Sequence, residues 1–134
     1  RSDMDSEIQD KAAHFLEDVN ILEKASLHAG SMSRGDKRRL ELAMCLSQDP
    51  KLLLLDEPTA GMARADTNNT IDLLLKIKSR GMTKVIIEHD MHVVFSLADK
   101  VSVMAQGHVI VEGSPDEIKG DPRVREAYLG GAEV

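Results

Sequence analysis

The chain reads as an α/β domain with a mostly parallel sheet flanked by helices, and three observations predict it. The run Lys51-Leu52-Leu53-Leu54-Leu55 is too short for a membrane helix and stops at Asp56-Glu57-Pro58, the pattern of a parallel strand covered on both faces. Val85-Ile86-Ile87-Glu88 is a second, β-branched strand. Around these strands, apolar residues recur at helical spacing, and strands separated by helices argue for a largely parallel sheet.

The elements follow in order. Ile8, Ala12, Phe15, Leu16 and Val19 lie on one helical stripe, so the first segment is an amphipathic helix. After a polar stretch through Gly30, Ser33 opens a second helix with Leu40, Ala43, Met44 and Ser47 on one side. That helix ends before Asp49-Pro50, because the residue before proline disfavours helical geometry. The leucine strand leads into a loop at Ala60-Gly61-Met62. Asp66 is the expected N-cap of a helix bearing Ile71, Leu74, Leu75 and Lys78 and closed by Gly81. Val93, Val94, Leu97 and Ala98 form another helix. Val101 to Met104 and Val109 to Val111 flank Gln106-Gly107-His108 as a hairpin. Ser114 caps a short helix starting at Pro115, and Asp121-Pro122 starts the last one. No internal repeat, low-complexity tract or linker interrupts the series.

Composition bounds the function classes. At 134 residues, 42% apolar and 30% charged, the chain is one soluble globular domain or part of one. A net charge of −6 argues against a general nucleic-acid binder. One cysteine, Cys45, excludes an internal disulfide and a cysteine zinc cage, and its helical setting suggests a buried, inert thiol. No segment has the continuous apolar length needed to span a bilayer, and the acidic N-terminus is not a signal peptide. A cytosolic setting is the simplest expectation.

Three places carry candidate chemistry. Asp56 and Glu57 sit at a strand's carboxyl end, where open α/β sheets place ligands. Two carboxylates there suit a divalent cation and a base acting on a phosphate ester, although an ordinary strand ending in a polar loop has the same sequence. Ser33-Arg34-Gly35-Asp36 joins a hydroxyl N-cap to an acid at the third helical position. That is a well-capped helix, or an anion site built from free N–H groups and the positive helix end. Gly35 permits close backbone approach, and the Ser33 hydroxyl can donate to a phosphate oxygen. Asp36 opposes an anion by its charge, while Arg34, Lys37, Arg38 and Arg39 supply positive potential. His89 follows the second strand, placed to bond a γ-phosphate or an attacking water near Glu57, or simply structural. His14, His28, His92 and His108 have no comparable surroundings. The string His89-Asp90-x-His92 falls at a strand-to-helix junction without further ligands, which disfavours a dedicated metal cage.

The order of these sites resembles the ATP-binding-cassette ATPases. Ser33 to Asp36, preceded by Met32, match the signature motif (Leu-Ser-Gly-Gly-Gln), Leu52 to Asp56 Walker B, Glu57 the catalytic glutamate, Ala60 to Ala63 the D-loop, and His89 the switch histidine. Asp-Glu-Pro-Thr-Ala-Gly-Met and the ending Pro122-x-Val124-x-Glu126-Ala127-Tyr128-Leu129-Gly130 are similar to the branched-chain amino acid importer ATPases. The resemblance implies part of a P-loop NTPase fold. Residues 1–48 would be part of the helical subdomain, 49–113 the Walker B to switch-histidine core, and 114–134 an importer-type helical extension. It implies ATP and Mg²⁺ in the full-length protein, with Asp56 holding the ion through water, Glu57 and His89 catalytic, and Ser33, Arg34, Gly35 and Asp36 serving the nucleotide of a partner subunit. The partners implied are a second ATPase subunit, homo- or heterodimeric, and transmembrane permease subunits, with the protein peripheral on the inner face of the plasma membrane.

Three departures limit that transfer. Arg34 stands for the first signature glycine and Asp36 for the glutamine; Ala63 stands where many D-loops carry aspartate. No Gly-x-x-x-x-Gly-Lys-[Ser/Thr] phosphate loop occurs, no Q-loop is visible, and aromatics at 2% leave little to stack a base. The expectation is a C-terminal portion of an importer ATPase that hydrolyses negligible ATP alone and self-associates through uncovered sheet. Two alternatives stand beside it, a non-catalytic module on the same fold and an ATPase of the DNA-repair or chromosome-organising class. The latter carries long heptad coiled coils, absent from this sequence.

Overall fold

The computed structural model describes residues 2–128, and the chain divides into two compact units, one running to Ile87 and one from Glu88. In the first unit, α1 (Ser2–Asp18) buries only its carboxyl end. Val19 and Ile21, just past it, are fully buried, whereas Met4 and Ile8 are exposed. The expected stripe through Ile8 and Ala12 is therefore used only from Phe15 onward, because the first turns extend beyond what neighbouring elements cover. Two 3₁₀ turns, Leu22–Lys24 and Ala29–Ser31, lead to α2 (Arg34–Leu46).

Ser33 caps α2 as expected: its Oγ accepts from the Asp36 N–H at 3.1 Å. The buried face consists of Asp36, Leu42, Ala43 and Leu46. Met44, Ser47 and Cys45 are exposed, which corrects the expected face and the expected buried thiol. At 3.6 residues per turn, Leu42, Ala43 and Leu46 share an arc of about 100°, and Met44 and Cys45 fall outside it.

β1 (Leu52–Asp56) and β2 (Thr83–Ile87) pair in parallel, with Leu54 opposite Val85 and Asp56 opposite Ile87. The pleat sends alternate side chains to opposite faces. Leu53 is buried, but Leu52, Leu54, Val85 and Ile87 are 51%, 68%, 50% and 60% exposed. The leucine strand is thus covered on one face within this unit, not on both as its sequence suggested. Between the strands runs α3 (Arg64–Lys78), burying Thr67, Ile71, Leu73, Leu74 and Ile77. Its N-cap is Ala63, with no side-chain cap bond, so Asp66 lies inside the first turn, where its charge still suits the helix dipole. Leu75, expected on the buried face, is 38% exposed. Gly81 closes the connection with φ +81°.

In the second unit, α4 (Met91–Leu97) is capped by Asp90, whose side chain accepts from the His92 N–H at 3.0 Å. β3 (Val101–Ala105) and β4 (His108–Gly113) form an antiparallel hairpin with a bulge past Val103. Its turn residues Gln106 and Gly107 both have positive φ, 49° and 80°, the tight-turn geometry that matches strand twist. α5 (Pro115–Gly120) begins in a capping box between Ser114 and Glu117. α6 (Pro122–Tyr128) follows Asp121, whose carboxylate accepts from the Arg123 N–H at 2.8 Å. Val103, Ile118 and Val124 are the core, with Phe95, Val101, Ile110 and Val111 against it. The Tyr128 hydroxyl donates to the Met104 carbonyl, tying α6 to the hairpin. Leu129 and Gly130, the end of the importer-like stretch, lie outside the described residues. Among the described residues no helix is long and apolar enough to cross a membrane.

Candidate functional site

The site is built where β1 ends. Asp56 is the last residue of the strand and exposed, and its side chain makes no hydrogen bond or ion pair among the described residues. A solvent-facing carboxylate of this kind fits a hydrated hard cation. Glu57, also exposed, adopts φ +46°, a left-handed conformation that costs a non-glycine residue roughly 1–2 kcal/mol. Its N–H donates to the Ile87 carbonyl at 2.8 Å, so the ladder runs one residue past the strand before the backbone turns. Two successive turns follow, Ala60 N–H to Glu57 O and Met62 N–H to Thr59 O, each 3.1 Å, with Thr59 buried.

These turns carry Ala60-Gly61 to the first turn of α2. Gly61 has φ +72°, and a Cβ there would stand 2.9 Å from Arg34 Nη1. The positive φ favours glycine there, and the Arg34 guanidinium, the end of a flexible side chain, would have to shift to admit a Cβ. Arg34, Lys37, Arg38, Glu41, Ala60 and Gly61 line a shallow depression of about 470 Å³. Arg34, a departure noted in the sequence, is therefore a neighbour in space of Ala60-Gly61.

At the tip of α2, the Ser33 hydroxyl uses a lone pair for the cap and keeps its proton to donate. The N–H groups of Arg34 and Gly35 precede the first intrahelical bond, which runs from Lys37 N–H to Ser33 O at 2.9 Å. A Cβ on Gly35 would meet nothing within 4 Å. No described residue asks for glycine at this second position of the helix. Asp36 turns the other way. Its side chain is buried and takes an ion pair from Lys24, with Arg39 Nη1 at 3.8 Å. The Lys24 hydrogen bond, aided by that of Ser33 and by the charges of Lys24 and Arg39, holds the carboxyl below the usual carboxylate range despite burial.

The structure thus joins Arg34 to the Ala60-Gly61 turn, and Asp36 to Ser33 and Lys24. His89 lies in the second unit, exposed, between the end of β2 and the Asp90 cap. Among the described residues no three His, Cys, Asp or Glu side chains gather as a metal cage. Sequence reading missed Lys24, whose 3₁₀ turn has no periodic signal. The one hint available was Asp36 itself, an acid at a helix end that needs a counter-charge.

Known proteins resemble this chain in sequence and in fold. The family described as ABC transporter matches residues 2–60, and the family described as branched-chain amino acid ATP-binding cassette transporter matches residues 108–134. The high-affinity branched-chain amino acid transport ATP-binding protein BraF of Pseudomonas aeruginosa is 42% identical over 94% of this chain and 50% of its own length. LivG of Escherichia coli, of the same description, is 39% identical over 95% of this chain and 50% of its own. The chain spans about half the length of these relatives. The ADP conformation of MJ1267, an ATP-binding cassette of an ABC transporter, superposes with a TM-score of 0.83 at 34% identity, covering 92% of this chain and 50% of that one. These matches identify an ABC transporter ATP-binding domain followed by a segment of the branched-chain amino acid ATP-binding cassette transporter type, in a chain similar to branched-chain amino acid transport ATP-binding proteins.

Proposed function

We propose that this chain supplies the signature, Walker B and switch-histidine parts of the ATP-binding subunit of a branched-chain amino acid importer. The observation that carries the reading is the juxtaposition at α2. A capped helix end with an unhindered Gly35 opens beside the turn that descends from Asp56-Glu57. In the reading, the chain contains parts of two nucleotide sites. Ser33, Arg34 and Gly35 face the ATP of a partner cassette through the Ser33 hydroxyl, two N–H groups and a guanidinium. Asp56 and Glu57 face the ATP of their own cassette.

Mg²⁺, when bound, neutralises charge developing on the transferred phosphoryl group, and Asp56 would hold it through water. Glu57 polarises the attacking water, and His89 contacts the γ-phosphate. Residues 1–48 are assigned to the helical subdomain, 49–113 to the core and 114–134 to the importer-type extension. The subunit works as a homo- or heterodimer against permease subunits at the membrane's inner face, and it binds no nucleic acid. Closure of the dimer around ATP drives the permease between its access states.

The test is a chimera joining the phosphate-loop half of a BraF-type cassette to this chain. ATP hydrolysis is expected, falling at least about a hundredfold on Glu57→Gln, as loss of a positioned base does. Hydrolysis indifferent to Glu57→Gln would count for the alternative, a non-catalytic module on the same fold.

A further inference from the structure

We infer that Lys24 is a positioning residue whose charge and hydrogen bond cancel Asp36 and draw its carboxylate beneath α2, leaving the helix tip free to receive an anion. The inference rests on the nucleotide reading of that tip and adds to it a residue from outside the motif.

An acid in the first turn of a helix steadies the helix but repels any anion approaching the same end. Asp36 occupies that turn one residue after Gly35. Left in solvent, its charge would oppose the potential contributed by Arg34, Lys37 and Arg38. The structure shows how the conflict is met. Lys24 comes from the 3₁₀ turn Leu22–Lys24, twelve residues upstream, and pairs with Asp36 Oδ2. Arg39 approaches Oδ1 from one turn further along α2. The Asp36 side chain is 11% exposed and that of Lys24 34%, so the pair is shielded from water and screened less by salt than a surface pair.

The backbone of Asp36 is fixed at the same time, since its N–H donates to Ser33 Oγ at 3.1 Å. Lys24 therefore holds, through one side chain, both the direction of the carboxylate and the residue that orients the Ser33 hydroxyl. Pulling Asp36 inward leaves the exposed rim of the depression to Arg34 and Lys37 and to Arg38, which is ion-paired with Glu41 at 3.4 Å.

The test uses the 134-residue chain with inorganic tripolyphosphate as the probe, read by NMR shifts of the Arg34 and Gly35 amides. Lys24→Gln should weaken tripolyphosphate binding about two- to fivefold, the effect of one uncompensated charge at a helix end. Adding Asp36→Asn to Lys24→Gln should restore it, which a purely structural role for Lys24 would not allow. In parallel, the Asp36 carboxyl, followed by ¹³C titration, should move up towards the ordinary range in Lys24→Gln. An unmoved Asp36 titration, or a double variant as weak as Lys24→Gln, overturns the inference. If Asp36 responds but no variant shifts the Arg34 and Gly35 amides with tripolyphosphate, compensation is refuted. The Glu57→Gln chimera judges the nucleotide reading separately.

Discussion

The ion pair between Asp18 and Arg80 offers a direct measure of what holds the first unit together. Arg80 Nη1 and Nη2 donate to the two Asp18 oxygens at 2.8 and 2.9 Å, across 62 residues of chain. The pair fastens the end of α1 to the turn after α3. The Asp18 side chain is 9% exposed and that of Arg80 47%, so removing Arg80 strands a buried acceptor while the guanidinium itself is partly solvated. His14 Nε2, 3.7 Å away and well exposed, is a weak substitute. Hydrogen bonds to a charged group contribute about 1.5–3 kcal/mol, and breaking a fully buried pair costs about 3–5. With one partner half in water, Arg80→Ala should cost about 1.5–3 kcal/mol at neutral pH. Arg80→Lys, keeping the charge but not the fork, should cost about half of that.

The sign of the pH effect follows from Asp18, whose carboxyl is held below its ordinary value chiefly by the Arg80 hydrogen bonds. A depressed carboxylate adds stability that is complete above the unfolded value, about 3.9, and is lost as pH falls through the folded one. Urea denaturation of the parent and Arg80→Ala at neutral pH and at about pH 3 should therefore show two midpoints that converge in acid. A neutral-pH difference below about 0.5 kcal/mol, or one undiminished in acid, would refute the reasoning.

Ala63 has the extended backbone of an N-cap, φ −67° and ψ 158°, but no capping oxygen, so Ala63→Asp should stabilise the fold against thermal unfolding by about 1 kcal/mol; a neutral or negative change would show that the turn before α3 rejects the carboxylate. Gly61→Ala should cost at least about 1–2 kcal/mol from positive φ and, by displacing Arg34, speed hydrogen exchange in the first turn of α2; parent-like exchange there would undo the assigned contact. Leu54→Lys, in the middle of the bare face of β1 and β2, should convert self-associating chain to monomer in analytical ultracentrifugation; a parent already monomeric across concentration would dispose of that idea. Glu57→Gly should raise the unfolding free energy, read by urea denaturation, by up to about 1 kcal/mol, the left-handed strain less the entropy of glycine, while removing hydrolysis from the chimera; a destabilised variant would show that the Glu57 side chain, not strain, dominates there.

Features of this fold that are written in local chemistry were legible in the sequence. Ser33 and Ser114 cap their helices, Gly81 closes α3, and Gln106-Gly107 turns the hairpin, because each depends on residues no more than about four apart. Which faces are covered was not legible. Four consecutive leucines are compatible with burial on both sides, but Leu52 and Leu54 meet no covering layer in their unit. The same limit misplaced Met44 and Cys45, since helical spacing identifies a stripe without saying what lies against it. The pairs Lys24–Asp36 and Arg80–Asp18 were invisible for a different reason: they join segments with no common period, and only the folded path of the backbone brings them together.

The strand end itself is where sequence and structure say the most in combination. In the sequence, Asp56-Glu57 is equally an ordinary strand terminus and a catalytic pair. The structure puts Glu57, a residue with little tolerance for it, at φ +46°. A strand that merely ended would do better with glycine or asparagine there, as the chain does with Gly61, Gly81 and Gly107, although Gln106 in the hairpin turn also holds a left-handed conformation, at φ 49°. Asn20 and Asp49, also left-handed, are residue types that reach this region more readily. Strain kept at an exposed carboxylate, when a cheaper residue would serve the backbone, supports a role for the side chain itself. The same argument applies at Gly35, where the chain keeps glycine beside space that no described residue occupies. In the proposed function the two positions belong to two different nucleotide sites, Glu57 facing the ATP of its own cassette and Gly35 that of a partner.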